Sequence, residues 1–356
     1  MNRKMKMFIL FIFLLLFTLS CSHASNETND ECSDSTSLNE VETINEVQKN
    51  EINRDNKEEG SEVTSYDMLF SELRTNDENK IVNIKKGTYI VNEPIPLKIC
   101  SYTKNLVING NGAIIDGNNS KYFLSISTNN NVTINNLIIR NTKSDSQASG
   151  INTSNNVHLK LNNCTFINCV STGKGGALAN RGVTELYNCV FSSNTAGQGG
   201  AIWSTGEYGG SLLVKNCNFT NNKANYQNNH DRTGVIYLVS GGKVNITSCT
   251  FDNNNGKAIH NYLTTLYVTG NTFKNMVLNA SSDTIRGGVL DNYEQNAVIN
   301  NNIFSNINIT ALNVRGGILY NTEGVSSFEK NTINNLNVKT IGNIDSLNGG
   351  IIFNRN

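Results

Sequence analysis

The segment Leu159–Gly200 contains one phrase written twice. The first copy runs Leu159-x-Leu161-x-Asn163-Cys164-x-Phe166 and closes, after a turn, on Gly175-Gly176-Ala177-Leu178. The second copy runs Thr184-x-Leu186-x-Asn188-Cys189-x-Phe191 and closes on Gly199-Gly200-Ala201-Ile202. Cys164 and Cys189 are 25 residues apart, a spacing typical of the stacked coils of a solenoid.

The repeat extends through most of the chain. The positions five and three residues before the cysteine, and two after it, stay mostly apolar in other segments. These triplets are Leu106/Ile108/Ala113, Val132/Ile134/Ile139, Leu212/Val214/Phe219, Val244/Ile246/Phe251, Leu266/Val268/Phe273, Ala297/Ile299/Phe304 and the degraded Ser326/Phe328/Ile333. Alternation at period two with a constant offset predicts β-strands that are buried on one face and stacked in register. We therefore expect an all-β parallel solenoid of about ten coils spaced about 4.8 Å apart.

In-register stacking predicts ladders of like side chains. One is an interior aromatic stack of Phe166, Phe191, Phe219, Phe251, Phe273 and Phe304. Another is a thiol ladder of Cys164, Cys189, Cys217 and Cys249 that continues into Asn271, Asn302 and Asn331. A shared strand position and parallel Cβ directions favour free buried thiols over disulfides. A short helix near Tyr66–Arg74 is expected to cap the first coil, which contains Ile81–Tyr89.

Composition divides the chain into three parts. Residues 1–24 combine Arg3, Lys4 and Lys6 with an apolar run and small residues near Ala24, as a secretory signal peptide does. Residues 25–62, with 12 acidic and 3 basic side chains, predict a disordered linker. Residues 63–356 form the solenoid; their 23 basic and 17 acidic side chains are too dilute a surplus to predict nucleic-acid binding.

The N-terminal segment predicts export. We expect an extracellular or cell-surface location, with cleavage after Ala24. Membrane attachment would come only through a lipid on Cys21 or through a retained signal segment.

The glycine phrases resemble those of two families. Gly175-Gly176-Ala177-Leu178 with Phe191-Ser192-Ser193-Asn194, and the matching second copy, are similar to the paired GGA(I/L/V) and FxxN repeats of chlamydial polymorphic membrane proteins. They equally resemble the secreted adhesin-like proteins of methanogenic archaea. The resemblance covers about residues 80–356 and implies a right-handed parallel β-helix of the pectin-lyase type. Because the chain stops in a coil that has just restarted at Gly349-Gly350, we expect a missing cap or anchor.

Residues that could carry chemistry are sparse in the sequence. Enzymes on this fold use clustered acids or a basic residue, but Asp116, Asp145, Asp231, Asp252, Asp283 and Asp291 occupy unrelated register positions. The densest polar group is His230-Asp231-Arg232, which predicts either a catalytic loop or a solvated turn. No spacing predicts a metal site, and we expect no cofactor.

One outward-facing column follows the glycine pairs. It reads Ala179, Trp203, Tyr237, His260, Asp291, Tyr320 and Phe353, the residues after the inward Leu178 and its equivalents. Its rings at Trp203, Tyr237, His260 and Tyr320 could stack on sugars, or long loops could cover them.

The function expected from sequence is recognition. We expect an adhesin-like surface protein that binds glycans or proteins of host or neighbouring cells without catalysis. A polysaccharide lyase or hydrolase, and a truncated relic of a larger surface protein, are the alternatives.

Overall fold

The computed structural model describes residues 60–93, 97–99, 102–127, 129–224, 233–324, 326–342 and 346–355. The predicted signal peptide, Cys21 and nearly all of the predicted linker lie outside these ranges. The described residues form one stack of parallel strands, which confirms the predicted parallel β-helix.

Helix α1 spans Tyr66–Glu72, close to the predicted cap. Ser65 starts it as N-cap, because its hydroxyl accepts the Met68 N–H at 3.2 Å. Tyr66 and Leu69 are the buried residues of this helix. Within the described ranges, no helix has the length and hydropathy that crossing a membrane requires.

Three long sheets and one short sheet make up the stack. Sheet 1 contains β1 (Ser61–Val63), β2 (Asn79–Ile84), β5 (Asn105–Asn109), β8 (Asn131–Asn135), β12 (His158–Asn162), β16 (Val183–Tyr187), β20 (Ser211–Lys215), β24 (Lys243–Thr247), β27 (Thr265–Thr269), β30 (Ala297–Asn300) and β33 (Ser326–Glu329). Sheet 2 contains β3 (Thr88–Ile90), β6 (Ile114–Asp116), β9 (Ile138–Arg140), β13 (Thr165–Ile167), β17 (Val190–Ser192), β21 (Asn218–Thr220), β25 (Thr250–Asp252), β28 (Thr272–Arg286), β31 (Ile303–Arg315) and β34 (Thr332–Thr340), with β35 (Leu347–Asn348) on β31.

Sheet 3 contains β4 (Leu97–Ile99), β7 (Leu124–Ile126), β11 (Ile151–Thr153), β15 (Leu178–Asn180), β19 (Ile202–Thr205), β23 (Ile236–Val239), β26 (Ile259–Tyr262), β29 (Leu290–Tyr293), β32 (Leu319–Thr322) and β36 (Ile352–Arg355). The short sheet contains β10 (Lys143–Ser144), β14 (Val170–Ser171), β18 (Thr195–Ala196) and β22 (Lys223–Ala224). Every paired strand is parallel to its neighbours, as expected when each turn of a solenoid lies on the previous one.

The core holds the phenylalanine stack along sheet 2. Adjacent rings from Phe166 to Phe304 lie 4.7–5.1 Å apart, with interplanar angles of 2–16°. All six side chains are fully buried. Phe328 of sheet 1 packs on Phe304 at 5.9 Å. The stack is continuous because the strands that carry it pair residue for residue, so each ring meets the ring above it.

The thiol ladder lies at a corner of the coil. Cys164, Cys189, Cys217 and Cys249 are buried and free, and each follows the end of a sheet 1 strand. From the sequence we expect these four cysteines to lie within a strand, and this position is wrong. In the structure Asn163, at φ 53°, turns the chain just before Cys164 and points the thiol inward. The ladder continues through amides: Asn271 donates to Asn302 Oδ1 at 3.0 Å, and Asn302 donates to Asn331 Oδ1 at 3.1 Å.

One register assignment from the sequence is wrong. Ile115, and not Ala113, pairs with Ile139 and takes the place of the phenylalanines. The turn Gly110-Asn111-Gly112 adds residues between β5 and β6, with positive φ at Asn111 and Gly112. Ala113 instead lies at the corner and is buried there.

We expect Phe219→Ala to lower the free energy of unfolding by about 3–5 kcal/mol, because it opens a cavity between Phe191 and Phe251 that a stacked core fills poorly. Phe219→Leu is the matched control, since it keeps most of the buried volume and costs less. Denaturant unfolding followed by circular dichroism measures both changes. Equal, small losses for the two variants would contradict a close-packed stack.

Candidate functional site

The outward column of sheet 3 forms one continuous row. Ala179 pairs with Trp203, Trp203 with Tyr237, and Tyr237 with His260; His260 then pairs with Asp291, Asp291 with Tyr320, and Tyr320 with Phe353. The row is therefore spaced by the strand separation of about 4.8 Å. We call it the aromatic column. His260 stacks on Tyr237 with ring centroids 4.4 Å apart, and Tyr320 stacks on Phe353 at 5.4 Å.

Most of this column is covered. Trp203, Tyr237, His260 and Tyr320 are 3–6% exposed. Two cations lie over the indole of Trp203: the Lys174 ammonium at 4.5 Å from the ring centroid, and the Arg181 guanidinium at 5.3 Å. Two cations therefore already lie over the Trp203 ring, which the sequence suggested as a stacking surface for a sugar.

A second column lies two residues further along the same strands. Tyr262 pairs with Tyr293, Tyr293 with Thr322, and Thr322 with Arg355. Tyr262 is 39% exposed. Tyr293 is half-buried and lies between the two columns, with its ring 5.8 Å from His260 and 5.4 Å from Tyr320. Sequence reasoning missed this column, although the same period-two alternation that found the first one would have indicated it.

The two columns enclose a cleft of about 500 Å³. We call it the tyrosine cleft. Its walls carry four tyrosines, His260 and four charged side chains; these residues are Tyr237, Tyr262, Tyr293, Tyr320, His260, Arg286, Arg355, Glu294 and Glu323. The structure thus brings three of the four predicted ligand-binding residues, Tyr237, His260 and Tyr320, to one cleft. Trp203 does not line it.

A buried ionic cluster reaches the cleft through His260, which is the member of the cluster that lines it. Asp291 is fully buried, and its carboxylate accepts the Lys257 ammonium at 2.6 Å. The same carboxylate lies 2.9 Å from Nδ1 of His260. Lys257 is 1% exposed, so the cluster lies in a low-dielectric environment where its interactions are strong. In a neutral imidazole whose Nδ1–H donates to Asp291, the lone pair is on the other ring nitrogen, Nε2.

Lys257 occupies a position that is glycine in the coils directly above and below. Strand pairing places it level with Gly234 on one side and Gly288 on the other. A Cβ at Gly234 would lie 2.7 Å from the backbone nitrogen of His260, and one at Gly288 would lie 2.3 Å from the carbonyl oxygen of Gly317. This coil departs from the repeat to admit a lysine. The sequence could have indicated this departure at Gly256-Lys257-Ala258, where lysine stands in place of the second glycine of a pair.

Other candidates from the sequence do not join this cleft. His230-Asp231-Arg232 lies outside the described residues. Asp116 pairs with Arg140 at 2.7 Å on sheet 2; hydrogen bonds from Asn118, Arg140 and Asn141 outweigh burial and hold the pKa of its carboxyl below the usual value. Asp252 pairs with Lys274 at 3.2 Å on the same sheet. Among the residues described, no cluster of three histidine, cysteine or acidic side chains could hold a metal ion.

The fold is that of a parallel β-helix protein, and the tyrosine cleft is a candidate site on its sheet 3. No family model matches the chain, and no curated protein matches it either.

We expect Asp291→Ala to lower the free energy of unfolding by about 3–5 kcal/mol, because the buried Lys257 ammonium loses its carboxylate. The double variant Lys257→Gly/Asp291→Tyr restores the residue types of the neighbouring coils and should recover most of that loss. Thermal or denaturant unfolding provides the measurement. A double variant no more stable than Asp291→Ala would show that the loss has another origin.

Proposed function

We propose that the protein is an adhesin-like, secreted or surface-associated binding protein that recognises glycans of host or neighbouring cells through the tyrosine cleft. The observation that carries the proposal is a cleft on a rigid sheet face lined by four tyrosines, of which Tyr262 is exposed and Tyr293 half-buried. Aromatic faces stack on the apolar faces of sugar rings, and tyrosine hydroxyls supply hydrogen bonds at the rim. A concave site with a few converging polar groups is the usual form of a ligand site.

The rigidity of sheet 3 supports recognition rather than a structural role alone. The four tyrosines, His260 and Arg355 of the cleft come from β23, β26, β29, β32 and β36, which pair without a register shift. A preorganised site loses little conformational entropy on binding, so aromatic contacts contribute more of their free energy to affinity.

A glycan array should show binding that weakens when Tyr262 and Tyr293 are replaced by alanine. Each substitution is expected to lower affinity about two- to tenfold, since one aromatic contact contributes about 0.5–1.5 kcal/mol. Tyr267→Ala is the matched control, because Tyr267 lies on β27 of sheet 1 with the Lys243 ammonium over its ring. Equal losses for the cleft and control variants would place the binding elsewhere, and an array without any signal would remove the proposal.

Glycan cleavage is a second candidate, and the Lys257–Asp291–His260 cluster is the observation that favours it. A histidine oriented by a buried carboxylate has the arrangement of a general base. Arg286 and Arg355 line the same cleft and could bind the carboxylate of a uronic acid. In an elimination, His260 Nε2 would take the proton next to that carboxylate, a C=C bond would form, and the glycosidic C–O bond would break. The leaving oxygen would take a proton from a tyrosine hydroxyl or water.

Incubation with polygalacturonate and host-type glycans tests this second candidate. Elimination should produce new reducing ends together with unsaturated uronides that absorb in the ultraviolet, and His260→Ala should abolish both. Product that persists undiminished in His260→Ala would exclude His260 as the base. If no product forms with any substrate while the array shows binding, recognition without catalysis stands.

A further inference from the structure

A second row of side chains runs beside the aromatic column. The residue five positions before each column member directly precedes a glycine pair or its equivalent. In the described residues this sequence offset gives Lys174, Gln198, Asn255, Arg286, Arg315 and Asn348. It contains three cations and no acid. We call Lys174, Arg286 and Arg315 the cationic row.

Strand pairing stacks these positions in two groups, and Asn255 belongs to neither, because it pairs with Lys223 and Val277. Lys174 pairs with Gln198 in a parallel bridge. Arg286 pairs with Arg315, and Arg315 pairs with Asn348. Two arginines on adjacent strands are about 4.8 Å apart in the backbone, a spacing at which like charges repel.

The cations reach over the aromatic column of the following coil. The Lys174 ammonium lies 4.5 Å from the ring centroid of Trp203, and the Arg315 guanidinium lies 6.0 Å from that of Phe353. Arg286 lines the tyrosine cleft together with Tyr320. Lys174 and Arg315 each directly precede the first glycine of a pair, and these glycines, Gly175 and Gly316, have positive φ.

The Trp203 end of the row carries an additional cation. Arg181 is held in place by Gln147 Oε1 at 2.7 Å and Asn152 Oδ1 at 2.8 Å, both neutral acceptors. Burial, and then the charge of Arg181, lower the pKa of Lys174. Within the described residues neither Lys174 nor Arg181 forms a salt bridge. The charge of Glu207 acts on the pKa of Lys174 in the opposite direction, as the third and smallest cause. Two half-buried cations over one ring, one of them held by neutral acceptors, form a place where an anionic group would be stabilised.

We propose that the ligand of this face is a linear acidic glycan, whose carboxylate or sulfate groups contact the cationic row while its sugar rings contact the tyrosine cleft. Lys174 and Arg315 are five strands apart, about 24 Å along the axis, so the ligand is an extended chain of several sugars. The acidic preference rests on the proposed glycan binding. To that binding, the acidic preference adds the chemical class of the ligand and its direction along the solenoid axis.

The repeat itself provides the variants for the test. Gln198 already occupies one position of the row, so glutamine is tolerated by the scaffold. Lys174→Gln and Arg315→Gln therefore remove charge without a foreign side chain, and Gln198→Lys adds charge. Lys160→Gln is the matched control: the Lys160 ammonium lies 5.2 Å from the ring centroid of Tyr187, but on sheet 1.

The probes are polygalacturonate oligomers and the same oligomers fully methyl-esterified, with binding measured by calorimetry at low salt and at 0.5 M NaCl, about ten times the low-salt ionic strength. The acidic oligomer should bind the purified full-length protein more tightly than the ester. Lys174→Gln and Arg315→Gln should each weaken that binding about two- to fivefold, and Gln198→Lys should strengthen it about as much. These differences should shrink at high salt, and Lys160→Gln should change none of them. Chondroitin with and without sulfate tells sulfate from carboxylate recognition.

Three outcomes would overturn the acidic preference. One is equal affinity for acid and ester, which leaves neutral glycan binding in place. Another is an equal loss for Lys160→Gln and Lys174→Gln with unchanged unfolding midpoints. The third is equally tight binding of duplex DNA, which would indicate unspecific attraction to any polyanion. Absence of binding to every glycan would instead remove the proposed function as a whole.

Discussion

The structure depends on parallel hydrogen bonding between strands that keep the same register from one coil to the next. In sheet 3, Leu178, Ile202, Ile236, Ile259, Leu290, Leu319 and Ile352 follow each other in an unbroken chain of pairs. Every residue type placed at a fixed offset from this chain becomes a row in space. The interior phenylalanines, the corner thiols and amides, the aromatic column and the cationic row are all rows of this kind. Register therefore controls both what is buried and what is displayed.

The glycine pairs make this register possible at the turn into sheet 3. The first glycine has positive φ, and a Cβ on it would lie 2.1 Å from the carbonyl oxygen of the residue three positions later, as at Gly175 and Gly199. The second glycine lies against the backbone of the next coil; a Cβ on Gly176 would be 2.2 Å from the carbonyl oxygen of Gly200. The coils approach so closely here that a side chain is normally excluded. Lys174 and Arg315, whose cations lie over rings of the following coil, directly precede two of these pairs.

Sequence periodicity was sufficient for the fold and for the phenylalanine, cysteine and aromatic rows, but the second column of sheet 3 and the cationic row were not predicted. The phenylalanines, the cysteines and the outward column follow from period two and a constant offset, because parallel stacking transmits the offset without change. It failed at β6, where Gly110-Asn111-Gly112 lengthens the turn and shifts the register to Ile115. The tyrosine cleft was not predictable in the same way. It depends on two columns acting together, and on how far Lys174 and Arg181 cover Trp203, which a pattern of residue types does not specify.

The Lys257–Asp291–His260 cluster differs from the rest of the stack in its energetics. Removing two opposite charges from water costs several kcal/mol per ion, and their attraction often only offsets that cost. The neighbouring coils show an uncharged solution for the same positions: glycine at the turn, as at Gly234 and Gly288, and an aromatic ring in the column, as at Tyr237 and Tyr320. Because the coils above and below have these uncharged residues at the same positions, the stability of the fold does not require the charged residues. Departures from local rules concentrate at functional sites, and this one lies against His260, the one imidazole of the column. We therefore associate the cluster with the role of His260 in the tyrosine cleft and not with the stability of the fold.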